Sequence, residues 1–534
     1  MIEYFHNGNI YAGRGRFVSS FAVENGVIIA SGEETTELDL TLAKSVDLEG
    51  AFVCAGFNDS HMHLLNYGQI LNQAPLYEHT SSLEDVIDCL KSHLLRHPLE
   101  EGEWLCGRGW NQDLFVGDKR MPSKANLDAV SSVIPIMITR ACGHCCILNS
   151  KALELCGITA ETPQPEGGSI GTENGEPDGR LFDNAMELAL ARIPLPAEVR
   201  IKDMISAACI KLNSYGITSV QTDDYCVFRE IDPVIINKAY RELADSGELT
   251  VRVYEQCNLL EVDQLERFMN ECGKTGEGDN YFKIGPLKLL GDGALGSRTA
   301  HLTKPYLGTE EYGFSLFSKE HMAELIDCAH SNGMQCAVHA IGDACLDEVL
   351  DAYEAALTVH PADDHRHGIV HCQVTRKDQL ERIAKLCLHV YAQSVFLDFD
   401  NHIVSKLVDP GIANTSYNWK TLMDMGVTVS NGSDCPVELP DVMKGIECAV
   451  TRTSLDGTGP YLPDQAFTDA DALDSFTING AIASFEEAHK GLIEKGHAAD
   501  FVILDADPFV IDKNKLHEIK VAATYLGGKC VYER

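Results

Sequence analysis

Through the middle of the chain, apolar runs rich in β-branched residues alternate with polar loops and with stretches of helical periodicity. Eight such runs stand out, at 51–57, 217–222, 251–256, 282–290, 335–340, 368–371, 389–393 and 427–430. Between them, segments such as 320–329 and 345–356 place apolar residues three and four apart, the spacing of one helix face. Strands alternating with helices predict a parallel sheet, and eight of them predict an α/β fold of the (β/α)8 TIM-barrel type.

The two ends read differently. Asn9-Ile10-Tyr11-Ala12, Ser20-Phe21-Ala22-Val23 and Val27-Ile28-Ile29-Ala30 are short apolar runs, the last two joined across Glu24-Asn25-Gly26. An Asn-Gly pair between such runs predicts a tight hairpin. Asp500–Asp505 and 521–526 repeat the pattern near the other end. One small β-sandwich domain built from 1–52 and 486–534 is therefore expected, with the barrel spanning 53–485. The gap from Leu64 to Tyr215 is too long for one crossover between barrel strands. It carries helical stretches at 83–95 and 202–212 and a Gly/Pro-rich loop at 163–168, which predicts a subdomain inserted after strand one, at about 75–205, beside the mouth of the barrel.

Composition narrows the class without deciding it. The 534 residues are 45% hydrophobic and 23% charged, ordinary for a globular protein, and the formal net charge is -37. So acidic a surface repels nucleic acid and anionic membranes, leaving a small molecule as the expected partner. The start of the chain lacks the charged and apolar regions of a signal peptide, and no apolar run is long enough to span a bilayer. With 19 scattered cysteines, the expectation is reduced thiols in the cytoplasm. Cys142-Gly143-His144-Cys145-Cys146 has no second Cys/His pair at zinc-finger spacing, so a structural zinc is not expected there.

Candidate chemistry gathers at the predicted strand ends, where barrels of this type carry their active sites. Strand one leads into His61 and His63, which project to the same side because they are two residues apart. Strand four carries Lys288 and leads into Asp292, strand five ends at His339, strand six at His371, and strand eight leads into Asp434. Imidazoles and carboxylates converging on one rim are a metal-binding set.

These motifs resemble the metal-dependent amidohydrolase superfamily, in the branch that includes the N-substituted formamide deformylases and the YtcJ-like hydrolases. The matching stretches are Gly56-Phe57-Asn58-Asp59-Ser60-His61-Met62-His63, Lys288-Leu289-Leu290-Gly291-Asp292-Gly293, Val338-His339-Ala340-Ile341-Gly342-Asp343, Val370-His371-Cys372-Gln373 and Gly432-Ser433-Asp434-Cys435-Pro436. The resemblance implies two divalent cations, zinc, with His61, His63 and Asp434 on one, His339 and His371 on the other, and Lys288 bridging them as a carbamate. It implies hydrolysis of an amide or related non-peptide C–N bond by a metal-activated hydroxide, with Asp434 moving the proton. It also implies a homodimer.

Other readings remain open at this point. An ordinary lysine paired with Asp292 is the plain alternative for Lys288, and a one-metal site goes with it. A one-metal deaminase of heterocycles would place a glutamate near the strand-five histidine, whereas His339 is followed by Ala340-Ile341-Gly342-Asp343. A non-catalytic scaffold would lack some of the ligands. Asp292 and Arg298 either hold the loop after strand four or touch substrate. His144, in a stretch that also resembles the family, is a candidate to reach the pocket from the insertion. Trp110 is a candidate for an apolar substrate pocket or a core position, and Asp343 for orienting His339 or capping a helix.

Overall fold

In the computed structural model, which describes residues 1–141, 144–165 and 167–534, the chain divides into two compact units, Met1–Asn66 with Ala208–Arg534, and Tyr67–Ala207. The first unit contains the barrel. Its parallel strands are β1 (Phe57–Met62), β2 (Ile217–Thr222), β3 (Arg252–Asn258), β4 (Phe282–Leu290), β5 (Cys336–Ala340), β6 (Gly368–His371), β7 (His389–Ala392) and β8 (Val429–Asn431). They pair in chain order, as right-handed βα connections dictate. The expected helices fall within Lys319–Ser331 and Asp343–Val359.

The ring closes between β8 and β1. The Asp434 N–H donates to the His61 carbonyl at 2.8 Å and the His63 N–H to the Cys435 carbonyl at 2.8 Å. Gly432 is needed here, because a Cβ on it would stand 2.6 Å from the His61 nitrogen.

One expected strand is corrected. The apolar run 51–57 is not the first barrel strand. Phe52–Ala55 belongs to the terminal sheet, pairing with Glu3–Gly13 and Phe501–Leu504. The barrel strand is the more polar stretch that follows, and all six of its residues are buried. Asp59 makes that burial tolerable: its carboxylate accepts from the Ser433 N–H and hydroxyl and from the His61 N–H. Burial nevertheless pushes the Asp59 carboxyl up to about 7, against the pull of those bonds.

The termini build the expected β-sandwich domain. Its strands run in the order Lys529–Glu533, Val521–Leu526, Phe501–Leu504, Phe52–Ala55, Glu3–Gly13, Arg16–Glu24, Val27–Ser31, with Lys44–Asp47 also on Glu3–Gly13. Asn25 and Gly26 have φ of 52° and 79°, as a tight hairpin turn requires. In its core Phe5 stacks on Phe21 and Phe501 on Tyr525, and Phe21 meets Phe501 edge to face.

The second unit has its own six-stranded sheet, ordered Gly168–Glu173, Glu176–Asp183, Cys145–Leu148, Ile136–Arg140, Leu105–Trp110, Ala74–Pro75. Helix Leu83–Arg96 contributes Val86 and Leu90 to its core beside Ile136 and Ile138. Cys142 lies outside the described residues, and among the described residues no cysteine is in a disulfide. Among the described residues no helix is long and apolar enough to cross a membrane.

Candidate metal centre

Side chains from three strand ends of the barrel, β1, β6 and β8, meet around the Asp434 carboxylate. Asp434 Oδ1 lies 3.1 Å from His63 Nε2 and 3.5 Å from His61 Nε2. The His61 and His371 ring centroids are 5.7 Å apart, and those of His371 and His339 4.4 Å. One donor atom from each of His61, His371 and Asp434 lies within 4.8 Å of the others, and all three residues are buried.

Two glutamines aim these imidazoles. Gln256, on β3, accepts from His61 Nδ1 at 2.7 Å while its amide nitrogen donates to the Ser60 carbonyl. Gln393, just past β7, accepts from His371 Nδ1 at 2.6 Å while its amide nitrogen donates to the Tyr391 carbonyl. Each backbone carbonyl fixes which end of the amide faces the ring. With Nδ1–H engaged, each histidine keeps its Nε2 lone pair for the centre.

The electrostatics agree with a ligand set. Burial pushes His61 and His371 well below the usual imidazole range, so both are neutral donors. In His63 burial acts the same way, but the hydrogen bond to Asp434 and nearby carboxylates outweigh it and raise the ring well above that range. In Asp434 burial would raise the carboxyl, yet the bond to His63 and the surrounding imidazoles hold it below its ordinary value. Asp434 and His371 also sit in left-handed backbone, with φ of 57° and 74°, a strain that concentrates at functional sites.

Lys288 is buried on β4, with Nζ 3.6 Å from a carboxylate oxygen of Asp223 rather than beside Asp292. His339 turns Nε2 towards the loop after β4, 3.2 Å from the Gly293 carbonyl and 3.3 Å from Asp292 Oδ1. Asp292 holds that loop: its oxygens accept the N–H groups of His301, Ile341 and Gly342. Arg298 is exposed in the same loop, at a φ of 59°. Asp343 accepts from Thr303 and Arg376. In the other unit, Trp110 is fully buried in the core, and the exposed His144 pairs with Asp183 at 3.0 Å.

Sequence reasoning missed Gln256, Gln393, Asp223 and Cys226. The Asp223-Asp224 pair directly after the 217–222 run was a usable signal, since it stands at a strand end. Glutamines carry none, because amides are common everywhere and act here only through a histidine.

A buried set of neutral imidazoles and an ionised carboxylate at the C-terminal rim of a (β/α)8 barrel is the site of a metal-dependent hydrolase. The chain belongs to the amidohydrolase family, whose profile matches residues 44–532. It is 32% identical over 544 residues to the YtcJ protein of Bacillus subtilis (strain 168), covering 100% of both chains. It is 27% identical over 558 residues to N-substituted formamide deformylase of Arthrobacter pascens, covering 96% of this chain and 94% of that one. Among solved structures, an uncharacterized metal-dependent hydrolase from Pyrococcus furiosus matches with a TM-score of 0.79 at 28% identity, covering 95% of this chain and 100% of that one.

Proposed function

We propose that the chain hydrolyses an amide or related non-peptide C–N bond of a small molecule, and that its divalent metal is zinc. The observation that carries this reading is the buried convergence of His61, His371 and Asp434. The donor chemistry fits a zinc-type ion, which takes imidazole nitrogen and carboxylate oxygen together. His61, His371 and Asp434 would hold it, with His63 alongside. In this reading a second ion, with Lys288 as a carbamate near it, completes a binuclear centre.

When bound, a divalent cation polarises a substrate carbonyl and lowers the pKa of nearby water. The chain's own residues do the rest. Asp434 Oδ1, already positioned against two imidazoles, takes a proton from the attacking water and delivers it to the leaving nitrogen. Gln256 and Gln393 keep the ring orientations fixed throughout. Asp292 keeps the β4 loop against the start of the helix Asp343–Val359 through the Ile341 and Gly342 N–H groups.

The test is hydrolysis of a panel of N-formyl, N-acyl and cyclic amides, with and without chelator. The Arthrobacter pascens relative puts N-substituted formamides first in that panel. Turnover lost on chelation and restored by zinc is expected. Silence of the metal-loaded protein across the panel rejects the C–N reading.

A further inference from the structure

The loops after β4 and β7 meet at the rim, although β5 and β6 lie between those two strands. The Leu307 N–H donates to the Leu407 carbonyl at 2.9 Å, and Lys304 Nζ pairs with Asp409 at 2.9 Å. They meet on the side of the mouth to which β5 and β6 deliver His339 and His371. Just past β7 the chain coils through Ser394–Phe396 and Leu397–Asp400, and the Ile403 N–H donates to the Asp400 carbonyl. Residues three and four apart on such a coil share a face, so Phe396, Phe399 and Ile403 form one apolar strip. Asp400 is buried away from it and accepts from the Tyr417 hydroxyl and the Gln373 amide, which fixes the strip in place. Phe396 stacks on the His371 ring, with centroids 5.8 Å apart and 18° between the planes. Phe399 is 57% exposed. The strip thus runs from a metal-facing histidine out to solvent. Gly296, in the β4 loop, faces its outer end: a Cβ there would stand 3.8 Å from both Phe399 Cε1 and Ile403 Cδ1, an ordinary contact. Its φ is not positive, so neither backbone nor clash demands glycine at this position. What the glycine does is leave room beside the strip.

We propose that Phe396, Phe399 and Ile403, with the space left by Gly296, receive an extended apolar group of the substrate. The inference rests on the metal-dependent hydrolase reading above and deepens it, naming the substrate class as amides that carry such a group beside the scissile bond. One exposed phenylalanine is ordinary. Here three apolar side chains continue from the ring of a metal-facing histidine to the surface, opposite a gap. Apolar lining with polar chemistry at one end is the form of a small-molecule site. Methylenes laid against Phe399 leave water, and binding tightens with the area they bury.

Titration calorimetry of the zinc-loaded full-length protein tests this with probes that anchor on the metal. One series is the alkyl hydroxamates from acetohydroxamate to octanohydroxamate, with the tail on the carbonyl side. The other is the N-alkyl-N-hydroxyformamides of the same lengths, with the tail on the nitrogen side. Affinity is expected to rise about two- to fourfold per added methylene in at least one series. In that series Phe399→Ala should at least halve the gain per methylene, and Gly296→Leu should abolish it beyond the shortest tails. Affinity independent of tail length in both series overturns the proposal, and so does a gain that neither variant lowers. The gain is a ratio within one protein, so a change in zinc affinity does not imitate it. Far-ultraviolet circular dichroism checks folding, and if one variant does not fold the other decides. The amide panel is independent: a silent panel with a graded series rejects the C–N reading and leaves this site standing, and turnover with a flat series does the reverse.

Discussion

Gln393 accepts the Nδ1–H of His371 through its side-chain oxygen at 2.6 Å, and the Tyr391 carbonyl holds the other end of the amide. His371 can therefore present only Nε2 to the centre. Replacing Gln393 with Met keeps the volume and removes the acceptor, so the ring is free to turn and the other tautomer becomes accessible. Metal affinity is expected to fall by about 10- to 100-fold, the usual effect of losing an outer partner of a ligating histidine. Gln256→Met should act the same way through His61. Competition with a chromophoric chelator measures both; unchanged affinity in both variants would show that the glutamines do not aim the ligands.

Metal binding should also appear as stability. An ion that binds only the folded chain adds about 2.7 kcal/mol when its free concentration is 100 times Kd. Zinc should raise the unfolding temperature of the metal-free wild type and leave His371→Ala nearly unmoved, because that variant removes one of three buried donors. A zinc-dependent shift of equal size in both proteins would place the ion elsewhere.

The barrel and the position of the site rim were legible because their signals are residue types in sequence order. Apolar runs spaced by helical periodicity announce strands, and His61, His63, His371 and Asp434 stand at or just past strand ends. The first strand was misplaced because apolarity is a poor guide where polar residues are buried in pairs. Asp59 and Ser433 are 374 positions apart, and neither reveals the other. The plain alternative for Lys288, a pairing with Asp292 four residues on, is not what the fold builds: its Nζ lies against Asp223 on another strand end. Asp292 stands past the end of β4 in the loop, where it accepts backbone N–H groups, whereas Lys288 is still inside the strand. The sheet of the inserted unit was not legible, since strands such as Leu105–Trp110 and Glu176–Asp183 carry glycine, proline and charged residues in place of a β-branched apolar run.

At the N-terminal end of β5 a chain of hydrogen-bonded histidines sets a pH dependence. The Cys336 N–H donates to His367 Nδ1 at 3.0 Å, so His367 Nε2 carries the hydrogen and donates to His330 Nδ1 at 2.9 Å. His330 in turn donates to the His360 carbonyl, and His365 Nδ1 accepts the His367 N–H. Tyr353 stacks on His367, and the charged groups that flank His365 in the chain are Asp364 and Arg366, paired with each other at 2.8 Å. Burial pushes both His365 and His367 below the usual imidazole range. The unfolded chain therefore binds more protons below about pH 6.5, and stability from this pair is full above that pH and falls as the solution is acidified. Each histidine steepens the decline by about 1.4 kcal/mol per pH unit. His367→Asn keeps an acceptor for Cys336 but cannot titrate, so its urea midpoint should fall less steeply between about pH 6.5 and 5 than that of the wild type. Parallel curves would rule this latch out.

Gly56 is the hinge at which the chain leaves the terminal sheet and enters the barrel. Its N–H donates to the Asp500 carbonyl in the terminal sheet, and the next residue, Phe57, donates to the Gly216 carbonyl just before β2. A Cβ on Gly56 would lie 2.2 Å from Thr218 Oγ1 and 2.5 Å from Thr218 Cγ2. Thr218 is buried and already inside β2, so it cannot swing away into solvent. Gly56→Ala must separate β1 from β2 or distort the Thr218 rotamer, and overpacking of that kind costs about 1–3 kcal/mol. The displacement would travel along β1 to His61, five residues on. The expected result is a lower urea midpoint together with weaker zinc binding. Thr218→Gly removes all three atoms in conflict, including Thr218 Cβ at 2.8 Å, so the double variant should recover zinc affinity relative to Gly56→Ala even though the added glycine lowers stability on its own account. If Gly56→Ala binds zinc as tightly as the wild type, the strand hand-off does not position the metal centre.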